Sequence, residues 1–215
     1  VTVQLVPSVL CNFLCWSCTY GPMKEDHRNI DPRLKERTLS QEDKLMSLEL
    51  MKRVIDELKV VGVRAITFTG GGEPLTNPET VEAMSYARSK GFRIGLFTNG
   101  SLLDGDKIRR ILEIEPTFIR ISINAGTPKT HQSIHGLPNN SRIFEKVIGN
   151  LRALAKEKVK SGSSTEIGVG YIVNPLNADE VGILARILKE IYESEPRGGI
   201  SSYQIRPTVN YESGK

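Results

Sequence analysis

The sequence predicts an α/β fold in which strand–helix units repeat around a parallel sheet. Three observations predict it. Short β-rich runs alternate with longer helical stretches along the 215 residues, which is the rhythm of βα units. The helical stretches carry apolar residues three to four positions apart, as in Leu50, Val54, Leu58 and Val61, so each presents one apolar face. Hydrophobic residues make up 39% of the chain, enough for one substantial core.

Strands are expected near residues 2–7, 64–69, 92–98, 118–124, 166–173 and 202–207, and helices near 48–60, 78–90, 104–114, 143–158 and 178–194. Asn77-Pro78 is expected to open the second helix with proline in its first turn, Gly91 to close it, and Asn177 or Asp179 to cap the last. Strand four alternates, with apolar residues at Ile119, Ile121 and Ile123 and polar ones at Arg120, Ser122 and Asn124. A helix-wrapped parallel sheet ordinarily has two apolar faces, so the polar row predicts a face that lines a cavity. Thr67, Thr69, Gly95, Gly168 and Gly170 would leave room for a ligand there; the other reading of the glycines is that they mark bulges. The long irregular stretch from Thr19 to about Met46, with Pro22, Asp26, His27 and Pro32, is either a substrate lid or a solvated charged loop.

Charge and composition narrow the function. The formal charge of +4 is scattered among acids and only 6% of residues are aromatic, so no nucleic-acid stripe stands out. No apolar run reaches the roughly 20 residues of a membrane span, and the opening residues lack the marks of a signal peptide. A cytoplasmic protein is expected. Residues 1–215 read as one catalytic core domain, and a start at Val1 with an end soon after a strand-like run fits a piece of a longer chain.

All three cysteines fall within eight residues, Cys11-x-x-x-Cys15-x-x-Cys18, too close for a disulfide framework and suited to metal ligation. Three thiolates on one loop can hold three irons of a cubane cluster and leave the fourth open to another ligand. A structural zinc site completed by His27 is an alternative, as is an iron–sulfur electron carrier. Further on, Thr69-Gly70-Gly71-Gly72-Glu73-Pro74 follows strand two. Its glycines permit positive φ and close approach of backbone to a ligand. His131 and His135 stand four apart; they are expected on a loop after strand four, with His135 near the substrate, and not as metal ligands.

The cysteine motif directly after the first strand, together with Gly71-Gly72-Glu73-Pro74 after the second, resembles the radical S-adenosylmethionine (radical SAM) superfamily, and the resemblance runs from the first strand to the sixth. It implies a partial (β/α)6 TIM-like barrel of parallel strands with outer helices. It implies a [4Fe-4S] cluster on Cys11, Cys15 and Cys18 and S-adenosylmethionine bound to its open iron. Gly71, Gly72 and Glu73 correspond to the residues that receive the methionine amino group, Ser122 and Asn124 to those near the ribose and carboxylate, and Val173 and Arg206 to positions near adenine. Asn99 sits at the strand-three rim, where it is either a contact or a turn residue.

Two positions depart from the family pattern: Asn124 stands where many relatives carry Asp, and Ser17, with Trp16 before it, stands where an aromatic residue commonly meets adenine. The implied reaction is reductive cleavage of S-adenosylmethionine to methionine and a 5′-deoxyadenosyl radical that takes hydrogen from a peptide, sugar, nucleoside or small metabolite. A low-potential donor such as flavodoxin or ferredoxin would supply the electron. No cysteine follows Cys18, so this segment offers neither further cluster ligands nor a thiol hydrogen donor.

Overall fold

The computed structural model describes residues 1–18, 44–195 and 199–208. Its strands pair in parallel and in chain order, the first three with one another and the last three with one another. The chain divides into two compact units, Val1–Thr98 and Asn99–Lys215.

In the first unit, β1 (Thr2–Leu5), β2 (Ala65–Phe68) and β3 (Arg93–Thr98) pair in parallel, with Leu5 beside Phe68 and Phe68 beside Leu96. Helices α1 (Leu48–Val60) and α2 (Thr80–Ser89) connect them. Ser47 starts α1 by accepting the Leu50 amide at 3.2 Å, satisfying one of the orphan donors of the first turn. The core-facing stripe of α1 is Met51 and Ile55, one position round from the predicted one: Leu50 and Val61 are exposed. Both stripes obey the helical period, and only packing against the sheet selects between them. Pro78 lies in the turn before α2 and not in its first turn; Asn77 Oδ1 accepts the Glu79 amide at 2.9 Å, and the helix begins at Thr80. Gly91 closes α2 as expected, at φ 85°.

The second unit carries β4 (Phe118–Ser122), β5 (Glu166–Val173) and β6 (Ser202–Pro207) with helices α3 (Gly105–Ile114), α4 (Pro128–His135), α5 (Ile143–Ser161) and α6 (Val181–Ser194). Ile119, Ile121, Ile167, Val169 and Tyr171 are buried on one face. On the other face the register sets Arg120 beside Gly168 and Ser202, and Ser122 beside Gly170 and Gln204. That register is unbroken, so Gly168 and Gly170 do not mark bulges. β4 stops at Ser122, short of the predicted 124, because Asn124 takes a left-handed φ of 56° that a strand cannot continue.

His131 and His135 lie on helix α4, not on a loop, and both are buried. Thr127 caps the helix and Pro128 occupies its first turn, an opening signal the sequence carried at Thr127-Pro128. Neither Asn177 nor Asp179 caps α6 by its side chain: a short 3-10 turn, Ala178–Glu180, intervenes, and Asn177 is committed elsewhere. Among the described residues no helix is long and apolar enough to cross a membrane.

Candidate active site

The cysteine loop leaves β1 and is fastened at its base. Asn77 Nδ2 donates to Pro7 O at 2.9 Å and to Met46 O at 2.8 Å, while the Val9 amide donates to Lys44 O at 3.0 Å. Ser8 forms an antiparallel bridge with Leu45 and hydrogen bonds the Thr76 hydroxyl at 2.8 Å. Of the long irregular stretch, Lys44–Met46 thus hold the cysteine loop, and residues 19–43, His27 of the zinc alternative included, lie outside the described residues. Phe13 is buried and anchors the loop from within.

Cys11 is exposed and Cys15 and Cys18 are half-buried. The Phe13 amide donates to Cys11 Sγ at 3.4 Å, and the Cys18 amide to Cys15 O at 3.0 Å, which turns the loop back on itself. Burial pushes the Cys15 thiol up to about 12, and Cys11 and Cys18 add to the rise. A thiol that burial and two neighbouring cysteines keep from ionising is a donor that a multiply charged iron centre would relieve. Among the described residues no group of three His, Cys, Asp or Glu is arranged to hold a single metal ion. The donor chemistry of the loop fits a cluster held by thiolates.

The glycine run packs directly against this loop. The Glu73 amide donates to Leu10 O at 2.8 Å. A Cβ at Gly72 would stand 2.1 Å from Leu10 O, and one at Gly70 would stand 2.6 Å from Val6 Cγ1. Neither glycine adopts positive φ; the run is required for close approach, not for a left-handed turn. Gly71 lies between them, half-buried. Glu73 is 3% exposed, and its Oε1 accepts the Leu75 amide at 3.1 Å and the Thr98 hydroxyl at 2.6 Å. Thr98, a short polar residue at the end of strand three, thus helps to orient the carboxylate.

In the second unit, Asn99 is buried and its Oδ1 accepts the Ser101 amide at 2.9 Å and hydroxyl at 2.7 Å, the geometry of a turn. Ser122 is half-buried at the end of β4, facing Gly170 across the strand pair. Asn124 Oδ1 accepts the Ile172 amide at 2.8 Å, and Asn177 Nδ2 donates to Asn124 O and to Ile172 O, each at 2.8 Å. Asn177 is buried and joins the ends of β4 and β5. Val173 O accepts from the Thr208 amide at 2.9 Å and Arg206 is exposed on β6.

Glu180, which no sequence signal singled out, fixes the turn after Asn124. Its Oε2 accepts the Gly126 and Thr127 amides at 2.8 and 3.0 Å, and Oε1 accepts the Thr127 and Thr130 hydroxyls at 2.7 and 2.6 Å. Burial raises this carboxyl, but the two hydroxyls and two amides outweigh it and hold it below the usual carboxylate range. His135 Nε2 lies 2.9 Å from Ile123 O and so carries the proton there. The buried imidazoles of His131 and His135 pack with ring centroids 4.4 Å apart. His135 thus holds the end of β4 from behind, in place of the substrate contact expected for it.

A sequence model of the Radical SAM superfamily matches residues 5–196. An AdoMet-dependent heme synthase of Methanosarcina barkeri is 27% identical over 140 residues, 65% of this chain and 37% of that protein. An S-adenosylmethionine-dependent nucleotide dehydratase of Selenomonas ruminantium is 30% identical over 175 residues, 79% of this chain and 55% of that protein. Among solved structures, Streptococcus suis SuiB superposes with a TM-score of 0.71 at 11% identity, covering 99% of this chain and 40% of SuiB. SuiB bound to S-adenosylmethionine superposes with a TM-score of 0.68 at 14% identity, covering 99% and 41%. The chain spans 29% to 55% of the length of such relatives, and its fold is the TIM-barrel-like one of these enzymes. The family match, the thiol loop and the glycine run packed against it lead to one conclusion: the chain belongs to the radical SAM superfamily of enzymes.

Proposed function

We propose that this chain cleaves S-adenosylmethionine reductively at a [4Fe-4S] cluster held by Cys11, Cys15 and Cys18, and directs the resulting radical to a substrate hydrogen. The observation that carries the reading is the 2.8 Å bond from the Glu73 amide to Leu10 O. It ties the glutamate assigned to the methionine ammonium to the residue directly before the first cysteine. A reduced cluster, when bound, supplies the electron that breaks the sulfonium C–S bond and yields methionine and the 5′-deoxyadenosyl radical.

The residues of this chain bind and orient. Gly71, Gly72 and Glu73 receive the amino group, with Thr98 holding the carboxylate in place. Ser122 and Asn124 take the ribose and carboxylate, Asn99 supports the strand-three rim, and Val173 and Arg206 meet the adenine. Asn177, Glu180 and His135 fix the strand ends from which Ser122 and Asn124 project. The substrate is a peptide, sugar, nucleoside or small metabolite, and a low-potential donor of the flavodoxin or ferredoxin type supplies the electron in the cytoplasm.

The test is anaerobic reconstitution with iron and sulfide, reduction with dithionite, addition of S-adenosylmethionine and mass-spectrometric detection of 5′-deoxyadenosine. Formation by the wild type and its loss in Cys15→Ala is the expected result. Stoichiometric zinc with no iron–sulfur absorbance would sink the reading.

A further inference from the structure

The segment that leaves β4 is locked by one residue of the turn after β5. Past the last β4–β5 pair, Ser122 beside Gly170, the backbone turns away at Asn124 with φ 56°. Asn177, 1% exposed, commits both polar atoms of its side chain here. Its Nδ2 donates to Asn124 O and to Ile172 O, each at 2.8 Å, and its Oδ1 accepts the Asn174 amide at 2.7 Å. The Asn177 carbonyl in turn accepts the Tyr171 hydroxyl at 2.6 Å and the Glu180 amide at 3.0 Å. Gly126 packs against the same segment, since a Cβ there would stand 2.8 Å from Glu180 O.

This fastening decides what Asn124 offers a ligand. Its Oδ1 accepts the Ile172 amide at 2.8 Å. An N–H can only donate, so the atom facing Ile172 is the oxygen, and the orientation of the side-chain amide is set by its partner. The backbone carbonyl of Asn124 is taken by Asn177. With both oxygens committed toward β5 and its following turn, the end of the side chain left for a ligand is Nδ2, which carries two protons and accepts nothing. Among the described residues it donates to none, and Asn124 is half-buried. An aspartate making the same bond to Ile172 would present the opposite, an anionic oxygen that only accepts.

We propose that Asn177 is a positioning residue that makes Asn124 present its donor end, and that Asn124 Nδ2 takes the carboxylate of the co-substrate and not a ribose hydroxyl. A bond from N–H to a carboxylate is charge-assisted, whereas a hydroxyl proton would find no oxygen of Asn124 turned toward it. The identity of the ligand rests on the radical SAM reading; the orientation of the amide does not.

The test is calorimetric titration of the reconstituted, unreduced protein with S-adenosylmethionine and with its decarboxylated analogue, which keeps the sulfonium, ribose and adenine. Asn124→Asp keeps the oxygen that accepts the Ile172 amide and turns the outward donor into an anion. It is expected to weaken S-adenosylmethionine about tenfold or more and to leave the analogue bound as tightly or more so. Asn177→Ala is expected to weaken S-adenosylmethionine more than the analogue; a merely structural residue would weaken both alike. Asn177→Ser, whose hydroxyl is too short to reach both carbonyls, serves if the alanine variant does not fold. Retained or tighter S-adenosylmethionine binding in Asn124→Asp would mean that a hydroxyl donates at this position, and overturns the proposal. Equal losses for the two ligands in the Asn177 variant overturn the positioning role. A wild type that holds iron and sulfide but binds no S-adenosylmethionine sinks the radical SAM reading and this proposal with it. Binding by the wild type with an unaltered preference in Asn124→Asp overturns this proposal alone.

Discussion

The Thr98 hydroxyl donates to Glu73 Oε1 at 2.6 Å, so the last residue of β3 sets the direction of the carboxylate at the end of β2. The same oxygen accepts the Leu75 amide at 3.1 Å, and Glu73 is nearly inaccessible to water. Thr98→Val keeps the shape and removes the donor, leaving a buried carboxylate one hydrogen bond short. A loss of about 1–3 kcal/mol in denaturant unfolding is expected, together with weaker S-adenosylmethionine binding. Unchanged affinity in Thr98→Val would show that the orientation of Glu73 is irrelevant to the co-substrate.

Gly72 tests the fit of the glycine run to the cysteine loop. Its hypothetical Cβ lies 2.1 Å from Leu10 O and 2.7 Å from Val9 C, both backbone atoms that no rotamer change can clear. Gly72→Ala is expected to destabilise by roughly 1–3 kcal/mol and to reduce iron and sulfide loading. Gly149→Ala is the control: it lies inside α5 with nothing near its Cβ, so it is expected to stabilise by up to about 1 kcal/mol. Iron content and thermal melts of the two variants separate steric conflict from a general intolerance of alanine.

Glu180 predicts an acid-sensitive latch on the turn after Asn124. Its folded pKa is depressed, so the stability it contributes is present above the ordinary carboxylate value of about 4.3 and is lost as pH falls through the folded value. Glu180→Gln is expected to lower stability at pH 7, and the gap from wild type is expected to close only below about pH 4. Melting temperatures across that range measure it; a constant gap would mean the charge is immaterial.

The two buried histidines act in a different window. Burial lowers His131 to about 3, with His135 adding to the effect, and lowers His135 to about 4, with its bond to Ile123 O opposing the shift. The unfolded chain takes up protons near pH 6.5, before the folded one does, so stability falls as pH drops below about 6.5, by at most about 1.4 kcal/mol per pH unit for each imidazole. His131→Phe, which substitutes another ring against Phe144, is expected to flatten the decline between pH 6.5 and 4. Urea unfolding at pH 7 and pH 5 shows whether the slope moves.

The sequence itself carried the architecture, because alternation of β-rich runs and amphipathic stretches is a local signal that packing follows. β5, β6 and α1 fall on their predicted residues, while β1 and β4 end early where Val6-Pro7 and the left-handed Asn124 intervene. The cysteine spacing and the glycine run were equally legible, since three thiols in eight residues have few uses and adjacent glycines announce close approach. What was not legible is what those residues touch. Which stripe of α1 is buried follows from the sheet beneath it, and no local pattern distinguishes Met51 and Ile55 from Leu50 and Val54.

The side-chain partnerships are decided by tertiary structure because they join residues far apart in the chain. Glu73 meets Thr98 across 25 residues, Asn124 meets Asn177 across 53, and Arg120 meets Gln204 across 84. His131 and His135 became core residues once Thr127-Pro128 started a helix that turned both rings inward. The chemical groups and their spacing are properties of the sequence. Their orientation and protonation depend on which distant donors, glycines and carbonyls the sheet register brings to within about 3 Å, and only the folded chain determines that.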